Sequence, residues 1–230
     1  MATNLPPGLL DGLRSADPSA RLLSVTGLAE LVRVSYGAGA AALGLILRES
    51  GVIPSLAAIL GDGAEARQSA LFVLANLCSS VVDPEAAKTK QQLWRAGGGA
   101  RLAAALAAPD VESLTLAVAL LQNACDQRDW CQFVVGMGLM PRLEGLVDHA
   151  DANVSKYAAG ALRNVLQLDA LEAKAAPPSP DRLALGVQLH AQRAAERRAY
   201  ENEVEAVEAA AAAANAMAAA AEAAAAAVAA

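Results

Sequence analysis

Apolar positions along this chain fall into runs with helical spacing, and three of those runs end on an asparagine. They read Ala70-Leu71-Phe72-Val73-Leu74-Ala75-Asn76, Ala117-Val118-Ala119-Leu120-Leu121-Gln122-Asn123 and Ala158-Ala159-Gly160-Ala161-Leu162-Arg163-Asn164. A fainter fourth run, Ser24-Val25-Thr26-Gly27-Leu28-Ala29-Glu30, has a glutamate in that place. Upstream of each asparagine lies a second motif: Gly51-Val52-Ile53-Pro54-Ser55-Leu56, Gly97-Gly98-Gly99-Ala100-Arg101-Leu102 and Gly138-Leu139-Met140-Pro141-Arg142-Leu143. The glycines are 46 and 41 residues apart and the asparagines 47 and 41, so both motifs share one period. A fixed period in the low forties points to an all-α solenoid.

The helix that carries the asparagine has ordinary start signals in each copy. Asp17-Pro18 opens the first, with Asp as N-cap and Pro in the first turn. Gly61-Asp62-Gly63 precedes the second, Pro109-Asp110 the third, and residues 148–153 the fourth. Leu28, Leu74, Leu121 and Leu162 occupy one column and are expected in the seam between repeats. A shorter helix comes before it in each unit, over 54–60, 101–107 and 141–147, entered through a corner at Gly51, Gly97 or Gly138. A further helix precedes the corner, over 40–50, 85–96 and 128–135.

Three unequal helices in about 42 residues, with Gly-x-x-Pro-x-Leu opening the second and Ala-Leu-x-Asn inside the third, resemble the armadillo repeat. The resemblance covers residues 9–171. It divides the chain into a degenerate N-terminal repeat or cap at 1–36 and repeats at 37–82, 83–126 and 127–172. Pro177-Pro178-Ser179-Pro180 cannot continue a helix, so 173–180 is expected to be a stiff linker. An Ala-rich low-complexity helix is expected at 181–230.

Composition sharpens this picture. The chain is 55% hydrophobic but only 3% aromatic, with alanine prominent, which favours small helices packed closely over a thick centre or a sheet. A net charge of −6 and a pI near 5.0 disfavour a nucleic-acid partner, since phosphate contacts need a basic face. Three cysteines, Cys78, Cys125 and Cys131, cannot all pair, and the start of the chain does not read as a secretory leader. A reducing compartment is expected, cytoplasmic, nuclear or both. Cys78 and Cys125 sit two residues after their asparagines, where the other copies have Val32 and Leu166, and read as small buried apolar residues. The alanine run at 209–230 has the length of a membrane span without its large apolar side chains, so no membrane partner is expected.

Candidate chemistry is sparse. Leu31-Val32-Arg33-Val34-Ser35-Tyr36 followed by Gly37-Ala38-Gly39-Ala40-Ala41-Ala42 imitates a strand and a dinucleotide-binding turn, with Asp62 at a suitable distance. The chain beyond Asp62 keeps helical periodicity, and a parallel sheet would need further strands. His149 and His190 lie at no metal-ligand spacing, and no nucleophile-base set or phosphate-loop lysine appears. No catalytic residue, cofactor, metal or small-molecule substrate is expected.

The armadillo resemblance implies a function. In relatives of the catenin and importin-alpha type the third helices line a concave groove, where the asparagine bonds the backbone of an extended peptide. That role falls by resemblance to Asn76, Asn123 and Asn164, because an amide offers both donor and acceptor. The alternative, that these amides bridge neighbouring helices or satisfy loop carbonyls, stays open. Glu30 cannot reproduce the amide pair, so the ladder is expected to weaken at that end. Four and seven residues back along the stripe lie Phe72 and Ser69, Ala119 and Leu116, Gly160 and Tyr157. Importin-alpha has tryptophan at the first of these positions, so its slot array is absent and classical import-signal binding is not expected. Arg163 and Lys156 either tint the C-terminal end basic or form a solvated face. With units about 10 Å apart and about 3.3 Å per extended residue, the groove holds roughly ten residues of partner. The expected function is a protein-protein adaptor for an extended or helical segment. Two other readings are an Hsp70 nucleotide-exchange cochaperone and the substrate-binding subunit of a ubiquitin ligase.

Overall fold

The computed structural model describes residues 5–172 of the 230, with side chains as far as residue 167. The expected linker at 173–180 and the alanine-rich helix at 181–230 lie outside the described residues. Eleven helices and no strand are found among the described residues: α1 (Leu9–Leu13), α2 (Pro18–Arg33), α3 (Ala38–Glu49), α4 (Ile53–Ile59), α5 (Ala64–Leu77), α6 (Ala86–Arg95), α7 (Gly98–Ala105), α8 (Val111–Ala124), α9 (Arg128–Gly136), α10 (Met140–Val147) and α11 (Ala152–Glu172). They group as one pair, α1-α2, followed by the triplets α3-α4-α5, α6-α7-α8 and α9-α10-α11. The asparagine-bearing third helices pack in series, α2 on α5, α5 on α8 and α8 on α11.

Local chemistry sets the helix starts. Asp17 accepts from the Ser19 amide at 3.0 Å, and Asp110 accepts from the Ser113 amide at 2.7 Å. Asp151 accepts from the amides of Asn153 and Val154. Each carboxylate thus satisfies donors that the first helical turn leaves unpaired. Gly51, Gly97 and Gly138 have φ of 69°, 71° and 65°, the left-handed region that a side chain resists, and each turns the chain into the short second helix. Gly8, at φ 76°, does the same for α1. The leucine five residues on, Leu13, Leu56, Leu102 or Leu143, is buried in every copy. The pair α1-α2 therefore follows the second and third helices of a full repeat.

The decoy turn is resolved by the helix that covers it. Leu31, Val32 and Arg33 are the last residues of α2, and Gly37, at φ 51°, sits at the start of α3. No strand lies there for a dinucleotide fold to build on. Among the described residues no single helix is long and apolar enough to cross a membrane; α3 and α4 pass such a test only together, and they meet at 88°.

The seam is lined by small and branched apolar side chains. Leu28, Leu74 and Leu121 are fully buried, with Ala70, Ala117 and Ala158 beside them. Leu162, expected in the same column, is only half-buried. Val32, Cys78 and Cys125 are buried as their column predicts, whereas Leu166 is 51% exposed. Both departures are on α11, the last described helix, where no following repeat among the described residues covers that flank. Burial pushes the Cys78 thiol up to about 12. The Cys125 thiol is also raised, by its hydrogen bond with Cys131 and by burial.

Charged side chains tie successive repeats together at fixed registers. Arg21 in α2 meets both carboxylate oxygens of Asp62 at 2.7 and 2.9 Å, just before α5. One repeat on, Arg67 in α5 reaches Asp110, just before α8, at 3.5 Å. On the first helices, Arg48 of α3 pairs with Asp83 and Lys90 of α6 with Asp126. In these last two pairs the acid lies in the loop that leads into the next repeat's first helix, α6 or α9.

Candidate functional site

The three repeat asparagines lie on α5, α8 and α11, all half-buried. Their side chains do two different things. The Asn123 amide donates to the Ala75 carbonyl at 3.0 Å, and the Asn164 amide to the Gln122 carbonyl at 2.9 Å. Ala75 and Gln122 are the residues before the preceding asparagines, and each is two residues from the end of its helix, α5 or α8. Carbonyls in that last turn have no partner within the helix. At Ala75 this is explicit, because the Ser79 amide that would have served it bonds the Asn76 carbonyl. Each asparagine thus caps the C-terminal end of the helix before it.

Asn76 departs from the pattern and donates to the Phe72 carbonyl in its own helix at 2.9 Å. The cause lies in α2, which runs to Arg33. Ala29, the residue equivalent to Ala75, is four residues inside that end, so the helical ladder already takes its carbonyl. Asn76 has nothing to cap there. The weakening expected at the Glu30 end therefore takes the form of a missing bond between α2 and α5.

One amide hydrogen of each asparagine is committed inside the protein. Asn76 and Asn123 keep a second amide hydrogen and the carbonyl oxygen without a partner among the described residues. One donor and one acceptor are what an exposed peptide unit requires.

Two depressions open on this face at its N-terminal end. One, of about 380 Å³, lies among Glu30 and Arg33 of α2, Glu65, Ser69 and Phe72 of α5, and Glu112 and Leu116 of α8. The other, of about 300 Å³, is formed by Val32, Tyr36, Asn76, Val81 and Val82, and shares Arg33 and Phe72 with the first. Tyr36 is 79% and Val81 91% exposed, so the second depression has an apolar rim open to solvent. Between the two, the Arg33 guanidinium lies 5.1 Å from the Phe72 ring centroid and pairs with Glu30 at 3.5 Å.

Of the residues singled out from the sequence, Glu30, Phe72 and Asn76 come together here. Asn123, Asn164, Tyr157 and Arg163 line neither depression and lie further along, on α8 and α11. Tyr157 is half-buried against the core, and Arg163 is half-buried as well. Gly160 is closed off: a Cβ there would come 2.5 Å from the Gln122 side chain, which fills the space. Arg33, Glu65 and Glu112 were not anticipated. The signal was present, because Glu65 and Glu112 are eleven residues before their asparagines, three helical turns along the stripe that carries Phe72 and Leu116. Among the described residues no group of acids, histidines and cysteines is arranged to hold a metal ion.

No model of a known protein family and no curated protein matches the sequence. Solved structures do match. An engineered protein is similar at 24% identity and a TM-score of 0.59, over 69% of this chain and 61% of that one. A designed armadillo repeat protein is similar at 23% identity and 0.57, over 69% and 63%. A further designed armadillo repeat protein, solved in complex with peptide (KR)4, is similar at 21% identity and 0.56, over 76% of each chain. The chain thus spans about three fifths of the length of the first two. The likeness is one of fold, and it makes this chain an armadillo-like solenoid: the repeat period implied the solenoid, and the resemblance of the motifs implied its armadillo-like character.

Proposed function

We propose that this armadillo-like array is a non-catalytic adaptor that holds an extended protein segment along the face formed by α2, α5, α8 and α11. The observation that carries the reading is the pairing, on one face, of amides with spare donor and acceptor capacity and depressions partly lined by apolar side chains. Asn76 and Asn123 supply the first; Phe72, Leu116, Tyr36 and Val81 supply the second. Amides register a peptide backbone without regard to sequence, and apolar hollows take alternate side chains. The similar designed armadillo repeat protein in complex with peptide (KR)4 supports a peptide as the kind of partner. Two buried cysteines kept as thiols, Cys78 and Cys125, support a site of action in the cytoplasm or nucleus.

A display library of ten-residue random peptides, selected on the full chain, tests the reading. Selected peptides are expected to lose binding to the Ala119→Arg variant, whose new side chain rises from α8 into the middle of the face, while its melting curve stays cooperative. Peptides that bind this variant as well as the parent chain place their site elsewhere and overturn the proposal.

A further inference from the structure

Gln122 fills a gap between α8 and α11. Asn164 donates to its backbone carbonyl at 2.9 Å, and its side-chain amide lies one helical turn back along α11, against Gly160. A Cβ on Gly160 would come 2.5 Å from both Cδ and Oε1 of Gln122 and 3.0 Å from Nε2. The amide thus occupies room that exists because residue 160 has no side chain. Gly160 belongs to the groove-facing stripe, four residues before Asn164 as Phe72 is before Asn76, and the glutamine covers it. The fit is poor in one respect. Gln122 Oε1 is buried, and neither end of the amide has a hydrogen-bond partner among the described residues. A buried acceptor without a donor costs free energy that the same group recovers wherever it meets one. Surroundings that offer it no donor suit an aliphatic side chain better.

Resting on the groove reading above, we infer that Gln122 is a displaceable plug, and that the notch it fills over Gly160 is a subsite for one leucine or methionine side chain of the partner segment. Those two side chains come near the glutamine in bulk and carry no group that a missing donor would strand. Valine and isoleucine are stiff at the first torsion and fit a narrow notch less freely. A charged side chain is disfavoured by the same lack of partners that strands the amide. When the partner enters, Gln122 swings toward the groove, where its oxygen takes an N–H of the partner's backbone beside the spare amide of Asn123. One exchange thus satisfies an orphaned acceptor and buries apolar surface.

The test takes the random peptides selected on the full chain, which are expected to converge on leucine or methionine at one position. One selected peptide is made with a fluorescein label in two forms, with that residue kept and with it replaced by alanine, and both are titrated by anisotropy. The alanine form is expected to bind about tenfold more weakly, the worth of burying most of one such side chain. Gln122→Met leaves the notch filled by an apolar plug with no orphaned oxygen. Its urea midpoint is expected above the parent's, and the two peptide forms are expected to bind it within about twofold of each other, because the residue pair is coupled. Gln122→Ala removes the plug and widens the difference between the forms. Gly160→Ala puts a methyl group into the notch and erases the difference while unfolding stays cooperative. The inference is overturned by a selection without leucine or methionine enrichment, by a Gln122→Met chain no more stable than the parent, or by a difference between the forms that is equal on parent and Gln122→Met. If one of these occurs while the peptides lose binding to Ala119→Arg, the groove stands and the plug falls. Peptides that bind Ala119→Arg as well as the parent chain take both readings down.

Discussion

Arg48 and Asp83 form an ion pair whose side chains are only 4% and 1% exposed, and it joins α3 to the loop that begins the next repeat. Thr89 adds a hydroxyl 3.1 Å from the guanidinium, and Asp83 accepts the Glu85 amide at 2.9 Å. The carboxylate lies over Gly44, where a Cβ would come 2.3 Å from it. Asp83→Ala leaves the buried guanidinium with only the more exposed Glu85 carboxylate, at 3.2 Å, and a loss of about 3 kcal/mol, the low end for breaking a buried pair, is expected in urea denaturation. Replacing both members, Arg48→Met with Asp83→Leu, removes the stranded charge and is expected to recover most of the loss. The same loop carries Val81 and Val82, so the buried pair also fixes one wall of the second depression.

The asparagines separate by position. Asn123→Ala and Asn164→Ala each leave a helix-end carbonyl without its cap, so each is expected to lower stability by about 1 kcal/mol. Asn76→Ala removes a bond to a carbonyl within its own helix and gains alanine's better helix propensity, so a change within about 0.5 kcal/mol is expected. Denaturant midpoints at constant slope measure all three. A uniform loss across the three variants contradicts the capping account.

Much of the architecture was legible because a repeat states its rule several times. One Gly-x-x-Pro-x-Leu is weak, but Gly51 and Gly138 set the same corner two repeats apart, and the structure puts both glycines at positive φ. Gly8 and Leu13 obey the same rule and were missed, because the short α1 lacks the proline and no full first helix precedes it among the described residues. The site was read less completely. Counting back four and seven residues from the asparagines found Phe72, but the carboxylates one turn further and Arg33 on the neighbouring helix depend on how α2, α5 and α8 face each other. The asparagine bonds were equally invisible in one dimension. Whether an amide caps a neighbour or turns on its own helix depends on where the previous helix ends, and α2 ends later than α5 and α8 by the register of its asparagine position.

Asp110 gives the chain a predictable response to acid. It caps α8 through Ser113, whose side chain and amide both bond it, accepts from Gln68 at 2.9 Å and faces Arg67. These contacts favour the carboxylate and hold its pKa down at about 2, against an ordinary value of 3.8. A group whose folded pKa is depressed contributes stability above its unfolded value, and that contribution is lost as pH falls through the folded value. Asp110→Asn keeps the cap geometry without the titration. The parent chain is expected to be more stable than this variant at pH 6, and the gap is expected to narrow between about pH 4 and about pH 2. A gap that stays constant over that range places the effect in something other than the Asp110 charge.

Two glycines in one repeat separate backbone strain from packing. Gly138 turns the chain from α9 into α10 at φ 65°, and a Cβ added there meets nothing within 4 Å. Gly145 lies within α10, is exposed, and a Cβ there also meets nothing. Neither substitution by alanine creates a clash, so only the backbone decides the outcome. Gly138→Ala forces a side chain into the left-handed region and is expected to cost about 1 to 2 kcal/mol. Gly145→Ala removes the entropy penalty of a glycine in a helix and is expected to stabilise by about 0.5 to 1 kcal/mol. Gly138→Asn tolerates positive φ better and is expected to fall between Gly138→Ala and the parent chain. Thermal and urea unfolding of the three variants against the parent measure this order, and an unfavourable Gly145→Ala or a neutral Gly138→Ala breaks it. Because the corner sets the direction in which α10 leaves α9, the cost at Gly138 measures how firmly the sequence fixes the geometry of the repeat.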